Sequence, residues 1–219
     1  MTRLFSQRAL RVPRPTLLLS LIIASLLAPA TRAEVEIAPF AGFRMGGEFD
    51  VSDRDTDEED SLEFKDSESF GVVMNVDLKE PGKQAELYFS RQETTASTSN
   101  QLLTEDSYSV DVTIYQLQFG GLYFPGHKNT GGFVSGVVGV TRLDPEPSGL
   151  DEHHRASIAI GGGYKLALTE SLLARFDLRG VYTVLDSGGS VFCDGGCAVR
   201  FDSSGYGQVE ASAGLAFRF

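Results

Sequence analysis

Past Leu27 the 219-residue chain has no long apolar run. A membrane-spanning helix needs roughly 20 consecutive apolar residues, so none is expected in the rest of the chain. If that part crosses a membrane, it must do so as strands, because only helices and closed barrels satisfy every backbone group in lipid. Basic residues are also scarce there. Residues 1–33 hold five of the 19 Lys and Arg (Arg3, Arg8, Arg11, Arg14 and Arg32) and none of the 30 Asp and Glu, leaving 14 basic against 30 acidic side chains, a net charge of −16. A chain so acidic lacks the basic face that phosphate contacts require, which excludes nucleic acid as a partner. With only two cysteines, Cys193 and Cys197, a metal site built on them would need two further ligands, and none lies near in sequence.

The N-terminal stretch has a specific pattern. Four arginines without an acid precede an eleven-residue apolar run, Leu17–Leu27, and small residues follow at Ala28, Ala30, Thr31 and Ala33. The run is too short to span a bilayer, and its flanks are those of a secretory signal peptide. The expected division is a signal peptide over 1–33, cleaved after Ala33 with Ala30 as the alternative, and one domain over 34–219.

The 186 residues of that domain are rich in Gly and aromatics, with 24 Gly, 15 Phe and 7 Tyr in the whole chain. Period-two alternation divides them into eight segments: 34–46, 68–79, 84–94, 108–124, 131–143, 154–168, 171–185 and 206–219. The connections alternate in length. Residues 47–67, 95–107, 144–153 and 186–205 make long links, whereas 80–83, 125–130 and 169–170 make tight ones. Long loops at one end and turns at the other, with an even strand count, predict an all-β fold: an eight-stranded antiparallel up-and-down transmembrane β-barrel.

Each strand offers one apolar and one mixed face. Phe70, Val72, Met74, Val76 and Leu78 alternate with Gly71, Val73, Asn75 and Asp77; Leu172, Ala174, Phe176, Leu178 and Tyr182 alternate with Arg175, Asp177, Arg179 and Thr183. Charges of both signs on one face suit a narrow interior filled with ion pairs, since a charge facing lipid costs about 2–4 kcal/mol at midplane. The expected inward charges are Asp77, Glu86, Lys165, Arg175, Asp177, Arg179, Glu210 and Arg218. Their structural role would be a salt-bridge plug, and their functional role selectivity along a narrow pathway; an eight-stranded interior just filled by side chains favours the plug. Two segments resist this reading. In 108–124 the apolar set Val110, Val112 and Ile114 is out of phase with Tyr115, Leu117, Phe119 and Tyr123, which suggests a bulge or a solvent-exposed upper part; 131–143 shows no clean face.

The final strand, YGQVEASAGLAFRF, carries Leu215, Phe217 and Phe219 at alternate positions and resembles the C-terminal assembly signal of Gram-negative outer-membrane proteins. FVSGVVGVTRLD, followed by IAIGGGYKLALTESLLARFDLRGVYTVLD, resembles the second half of small eight-stranded barrels of the OmpW and OmpA-barrel type. The resemblance covers the whole domain as architecture and is strongest as motif over 131–219. It implies residence in the cell outer membrane among its lipid and lipopolysaccharide, and insertion by the barrel-assembly machinery.

The remaining candidates lie in the long links. Residues 50–66 hold nine acidic side chains against Arg54 and Lys65, and Asp53-x-Asp55-x-Asp57 opens like an EF-hand loop. Position six is Glu58 where Gly is needed and position twelve is Phe64 where a bidentate Glu belongs, so the EF-hand fails. A looser site for Ca²⁺ or Mg²⁺ stays open, with a solvated loop preferred. Cys193 and Cys197 flank Asp194-Gly195-Gly196 and read as one local disulfide in an oxidising compartment.

His153 and His154 raise the question of a lipid A-modifying enzyme. Some eight-stranded barrels are lipid A deacylases whose His and Ser stand two apart on one strand face. Here those positions hold Arg155 and Ala156, and Ser157 faces opposite to His154. The expected function is therefore a non-enzymatic barrel, without cofactor, in a structural or surface-interaction role. A narrow, porin-like passive channel for small or apolar solutes, OmpW-like, is the alternative.

Overall fold

The computed structural model describes residues 34–53, 59–98, 109–146, 153–185, 199–201 and 205–219. The expected signal peptide, Asp55, Asp57 and the Cys193–Cys197 pair lie outside these residues. Eight strands form the barrel wall: β1 (Val35–Met45), β4 (Ser67–Asp77), β5 (Lys83–Thr98), β6 (Ser109–Tyr123), β7 (Gly131–Glu146), β8 (His153–Ala167), β9 (Leu172–Val184) and β11 (Gly205–Arg218). Each pairs antiparallel with its sequence neighbours in the wall, β1 pairs with β11, and the ring has no free edge. At that seam Phe219 N donates to Val35 O at 2.9 Å and Val35 N to Phe219 O at 3.2 Å.

Pairing between the wall strands is what forces the faces apart. Phe70, Val138, Ile160, Phe176 and Leu178 are exposed on the outside, while Glu36, Arg44, Glu86, Lys165 and Glu210 are buried inside. Such a wall has its polar groups sequestered and its apolar groups outward, the inverse of a water-soluble barrel. Leu215, Phe217 and Phe219 lie on this outer face of β11. Close passage of one strand over the next requires glycine at some points. A Cβ on Gly163 would sit 2.0 Å from Phe176 O and 2.7 Å from Cζ of Phe133, whose ring lies across that gap.

Three features depart from the sequence expectations. First, the link 47–67 is not an irregular solvated loop. It contains a hairpin, β2 (Glu48–Asp53) and β3 (Glu59–Phe64), whose β3 pairs with β5 beyond the end of β4, while the short β10 (Val199–Phe201) pairs with β2. The chain leaves β1 through Gly46 (φ 81°) and Gly47 (φ 118°), conformations that glycine adopts without strain. It enters β4 through Lys65 and Asp66, with Asp66 Oδ1 accepting from Gly46 N at 3.1 Å. Across Lys65–Asp66 the inward positions change from even to odd residue numbers, which turns Leu62 and Phe64 into the interior.

Second, β6 has no bulge. Its register runs without a skip against both β5 and β7, from Asp111 to Tyr123. Val110, Val112 and Ile114 share the inward face with Gln116 and Gln118, and are buried. They join Leu62, Phe64, Ala96, Leu143, Leu185 and Tyr206 in an apolar cluster that closes the interior at the long-loop end. Third, β7 shows no clean face in sequence because its inward residues Phe133, Val137 and Leu143 are as apolar as its outward Val134, Val138 and Val140; each of the three belongs to an interior apolar cluster. Strands β5 and β7 also run to Thr98 and Glu146, beyond the expected ends at 94 and 143.

Candidate functional site

Below the apolar cap, alternate residues of six strands project polar side chains into one connected network. Its upper part is organised by Arg44 of β1 and Glu210 of β11, register partners across the seam. Arg44 Nε and Nη2 donate to Glu210 Oε2 at 3.1 and 2.5 Å. The same guanidinium reaches Tyr88 OH at 3.2 Å, Ser90 Oγ at 3.0 Å and Gln92 Oε1 at 3.3 Å, all on the inward face of β5. Glu210 accepts in addition from Ser69 Oγ at 2.9 Å and Tyr88 OH at 2.6 Å.

The middle part centres on Glu86. Its carboxylate accepts from Arg175 Nη2 and Arg179 Nη2, each at 2.8 Å, and from Asn75 Nδ2 at 3.1 Å. Asp177 sits on β9 between the two arginines. It takes a bidentate pair from Arg175 at 2.7 Å on both oxygens and one bond from Arg179 at 3.0 Å. The guanidinium carbons lie over aromatic faces, Arg179 at 4.6 Å from the Tyr88 centroid and Arg175 at 5.0 Å from that of Phe133. Stacking of this kind offsets part of the hydration lost when a guanidinium is buried.

The lower part, at the tight-turn end, joins Lys165 to Glu36, with Gln84 Oε1 at 2.8 Å and Asn75 Oδ1 at 3.2 Å as further acceptors. Arg218 Nη2 donates to the second oxygen of Glu36 at 2.8 Å. Asp77 contacts no cation of the network directly. It accepts from Gln84 Nε2 at 2.6 Å and from Asn129 in the turn before β7.

All eight inward charges expected from sequence therefore point into the barrel, and seven of them enter ion pairs there. Two charged members of the network, Glu36 and Arg44, are absent from the set expected from sequence. The signal was present in β1, where Glu36, Ala38, Phe40, Gly42 and Arg44 alternate with Val35, Ile37, Pro39, Ala41 and Phe43. The polar ladder Gln84, Glu86, Tyr88, Ser90 and Gln92 on β5 was legible in the same way. In all, five cations (Arg44, Lys165, Arg175, Arg179, Arg218) face five carboxylates (Glu36, Asp77, Glu86, Asp177, Glu210). The acidic excess of the chain consequently lies outside this network. Removing one partner of such a buried set costs about 3–5 kcal/mol, because the other charge stays behind.

The remaining candidates are dispersed. Asp53 lies in β2 opposite Val199; among the described residues no three His, Cys, Asp or Glu side chains converge as a metal site. His154 is exposed on the outer wall, whereas Ser157 is buried inside and accepts from Gln118 Nε2 at 2.9 Å.

The fold is that of small eight-stranded outer-membrane β-barrels. Neisserial surface protein A is similar over 84% of this chain and 97% of its own, with a TM-score of 0.50 at 12% identity. The outer membrane protein AlkL, solved in lipid bilayers, is similar over 87% of this chain and 94% of its own, with a TM-score of 0.51 at 13% identity. No protein-family model matches the chain, and no curated protein sequence does.

Proposed function

We propose that the protein is a sealed, non-enzymatic barrel of the outer membrane that serves a structural or surface-interaction role through its long-loop end. The observation that carries this reading is the filling of the interior. Arg44, Glu86, Lys165 and Glu210 are 0% exposed, so no water-sized sphere reaches them from either mouth. Above them the apolar cluster around Ile114 and Phe64 covers the network. A conducting passage needs hydrated groups along its length. Here the charged groups pair with one another and are closed off from either mouth, although Arg179 Nε and Nη1 are buried without a hydrogen-bond partner. The outward apolar belt supports a membrane location, and the opposed faces of His154 and Ser157 speak against a hydroxyl nucleophile activated by that histidine.

Planar-bilayer recordings of the refolded protein test the seal. Absence of discrete openings is expected; openings whose size shifts on Arg175→Ala or Arg179→Ala would replace the sealed reading with a narrow channel. Location is tested by heat-modifiable migration of the membrane fraction in detergent gels. Lipid A mass spectra from cells with and without the protein are expected to be identical.

A further inference from the structure

The outer wall is not uniform around the barrel. On β9, β11 and β1 the outward positions, from Leu172 to Val184, Gly207 to Phe219 and Val35 to Met45, carry no charged side chain among the described residues. On β5, β6, β7 and β8 the apolar belt ends within the described residues. The first outward residues beyond Phe89, Leu117, Val140 and Ala156 are Arg91, Tyr115, Arg142 and His154. These four are not merely on one side. They are consecutive register partners, Arg91 opposite Tyr115, Tyr115 opposite Arg142, and Arg142 opposite His154.

The side chains gather around the tyrosine. The guanidinium carbons of Arg91 and Arg142 each lie 5.9 Å from the Tyr115 ring centroid, and Arg91 Nε donates to Tyr115 OH at 3.3 Å. Both arginines are partly open to the outside, with 49% and 38% of their side-chain surface exposed. The next row outward is acidic, with Glu68, Glu93 and Asp144. Arg91 pairs with Glu93, and Arg142 Nη2 with Asp144 at 3.1 Å. Exposed pairs of this kind contribute little, so a guanidinium can exchange its carboxylate for a better acceptor.

We infer that Arg91, Tyr115 and Arg142 form a docking site on the outer wall for the phosphomonoester headgroup of a membrane lipid in the leaflet at the long-loop end. The chemistry selects that occupant. Two guanidiniums astride an aromatic ring, bordering an apolar wall, match a dianionic phosphate whose acyl chains lie along Leu117, Phe119 and Val138. Tyrosine at such a border places its ring in the apolar zone and its hydroxyl among headgroups. The carboxylate row sets the depth. Glu93 and Asp144 hold the guanidiniums from the loop side, so a phosphate engages them from the side of the belt. The site rests on the membrane reading proposed above, and concerns the wall rather than the interior.

Native mass spectrometry of the full domain in detergent tests it, with phosphatidic acid (a phosphomonoester), phosphatidylglycerol (an anionic phosphodiester) and phosphatidylcholine as probes. Phosphatidic acid is expected to be retained best and phosphatidylcholine least, with millimolar inorganic phosphate failing to displace the lipid. The double substitution R91Q/R142Q is expected to lower phosphatidic acid retention at least tenfold, by loss of two charge-assisted contacts. R91K/R142K, which keeps charge but not the planar fork, should fall between. K83Q at the tight-turn end should change nothing. Equal retention of phosphatidic acid by wild type and R91Q/R142Q, equal retention of all three lipids, or displacement by free phosphate would overturn the proposal. Failure of the membrane reading shows separately, as loss of the heat-modifiable band from the membrane fraction.

Discussion

The apolar cap at the long-loop end and the charged network beneath it both fill the barrel interior from inward-facing positions, yet they are built from opposite chemistry. They also come largely from different strands, the cap from β3, β6 and β7 and the network from β1, β8 and β9, with β5 and β11 serving both. Around Glu86 and Glu210 the side chains are charged and hydrogen-bonded, and each depends on its partners. Around Ile114 and Phe64 they are apolar and depend on contact alone. The contrast teaches that facing inward and being polar are separate properties in this barrel. A narrow interior tolerates either, and in the charged layer aromatic rings such as Phe133 and Tyr88 pack directly against the guanidiniums.

The largest effect is expected in the middle layer. Glu86→Ala removes the shared acceptor of Arg175, Arg179 and Asn75 and leaves Asp177 as the one carboxylate paired with two buried cations. A loss of about 3–5 kcal/mol is expected, read as a lower urea midpoint when the folded and unfolded gel bands are quantified. In the cap, Ile114→Ala deletes buried surface without stranding a charge, so about 2–5 kcal/mol is expected, with the cost set by how far its neighbours close in. If Ile114→Ala cost nothing, the apolar layer would not be packed as described. Between the layers, Tyr88→Phe removes one donor to Glu210 while keeping the ring beneath Arg179, and about 1–2 kcal/mol is expected from the same titration. The smallest effect is on the exposed wall. Glu93→Gln breaks only an exposed pair with Arg91 and should shift the midpoint by less than about 1 kcal/mol.

The same contrast explains what could be read from sequence. Alternation assigned faces correctly wherever the inward side was polar, as on β4, β9 and β11, because charge marks the interior of a membrane barrel. On β6 the two phases are real, with Leu117, Phe119 and Tyr123 outward and Val110, Val112 and Ile114 inward, but the bulge or exposed upper part expected from them is absent, because the inward apolar residues fill the interior. The error lay in treating apolar as a synonym for outward. On β1 the alternation of Glu36 and Arg44 was visible, but as an isolated strand it gave no sign that Arg44 would meet Glu210. That pairing is set by closure, which no local pattern encodes. The β2–β3 hairpin was hidden by its acidic composition, which reads as solvated chain until β5 supplies a partner for β3.

The seam between β1 and β11 has a consequence for the order of events in folding. Every other neighbouring pair in the wall is adjacent in the chain, apart from the β2–β3 and β10 excursions, and can form as a local hairpin. The Glu36–Arg218 contact instead spans 182 residues. Until it is made, two strand edges with unpaired amides and carbonyls face lipid, where such groups are costly. Contacts of so large a separation form late and slowly. Closure removes both edges at once, and β11, whose inward Glu210 pairs with Arg44, is the strand that holds a curled sheet as a barrel.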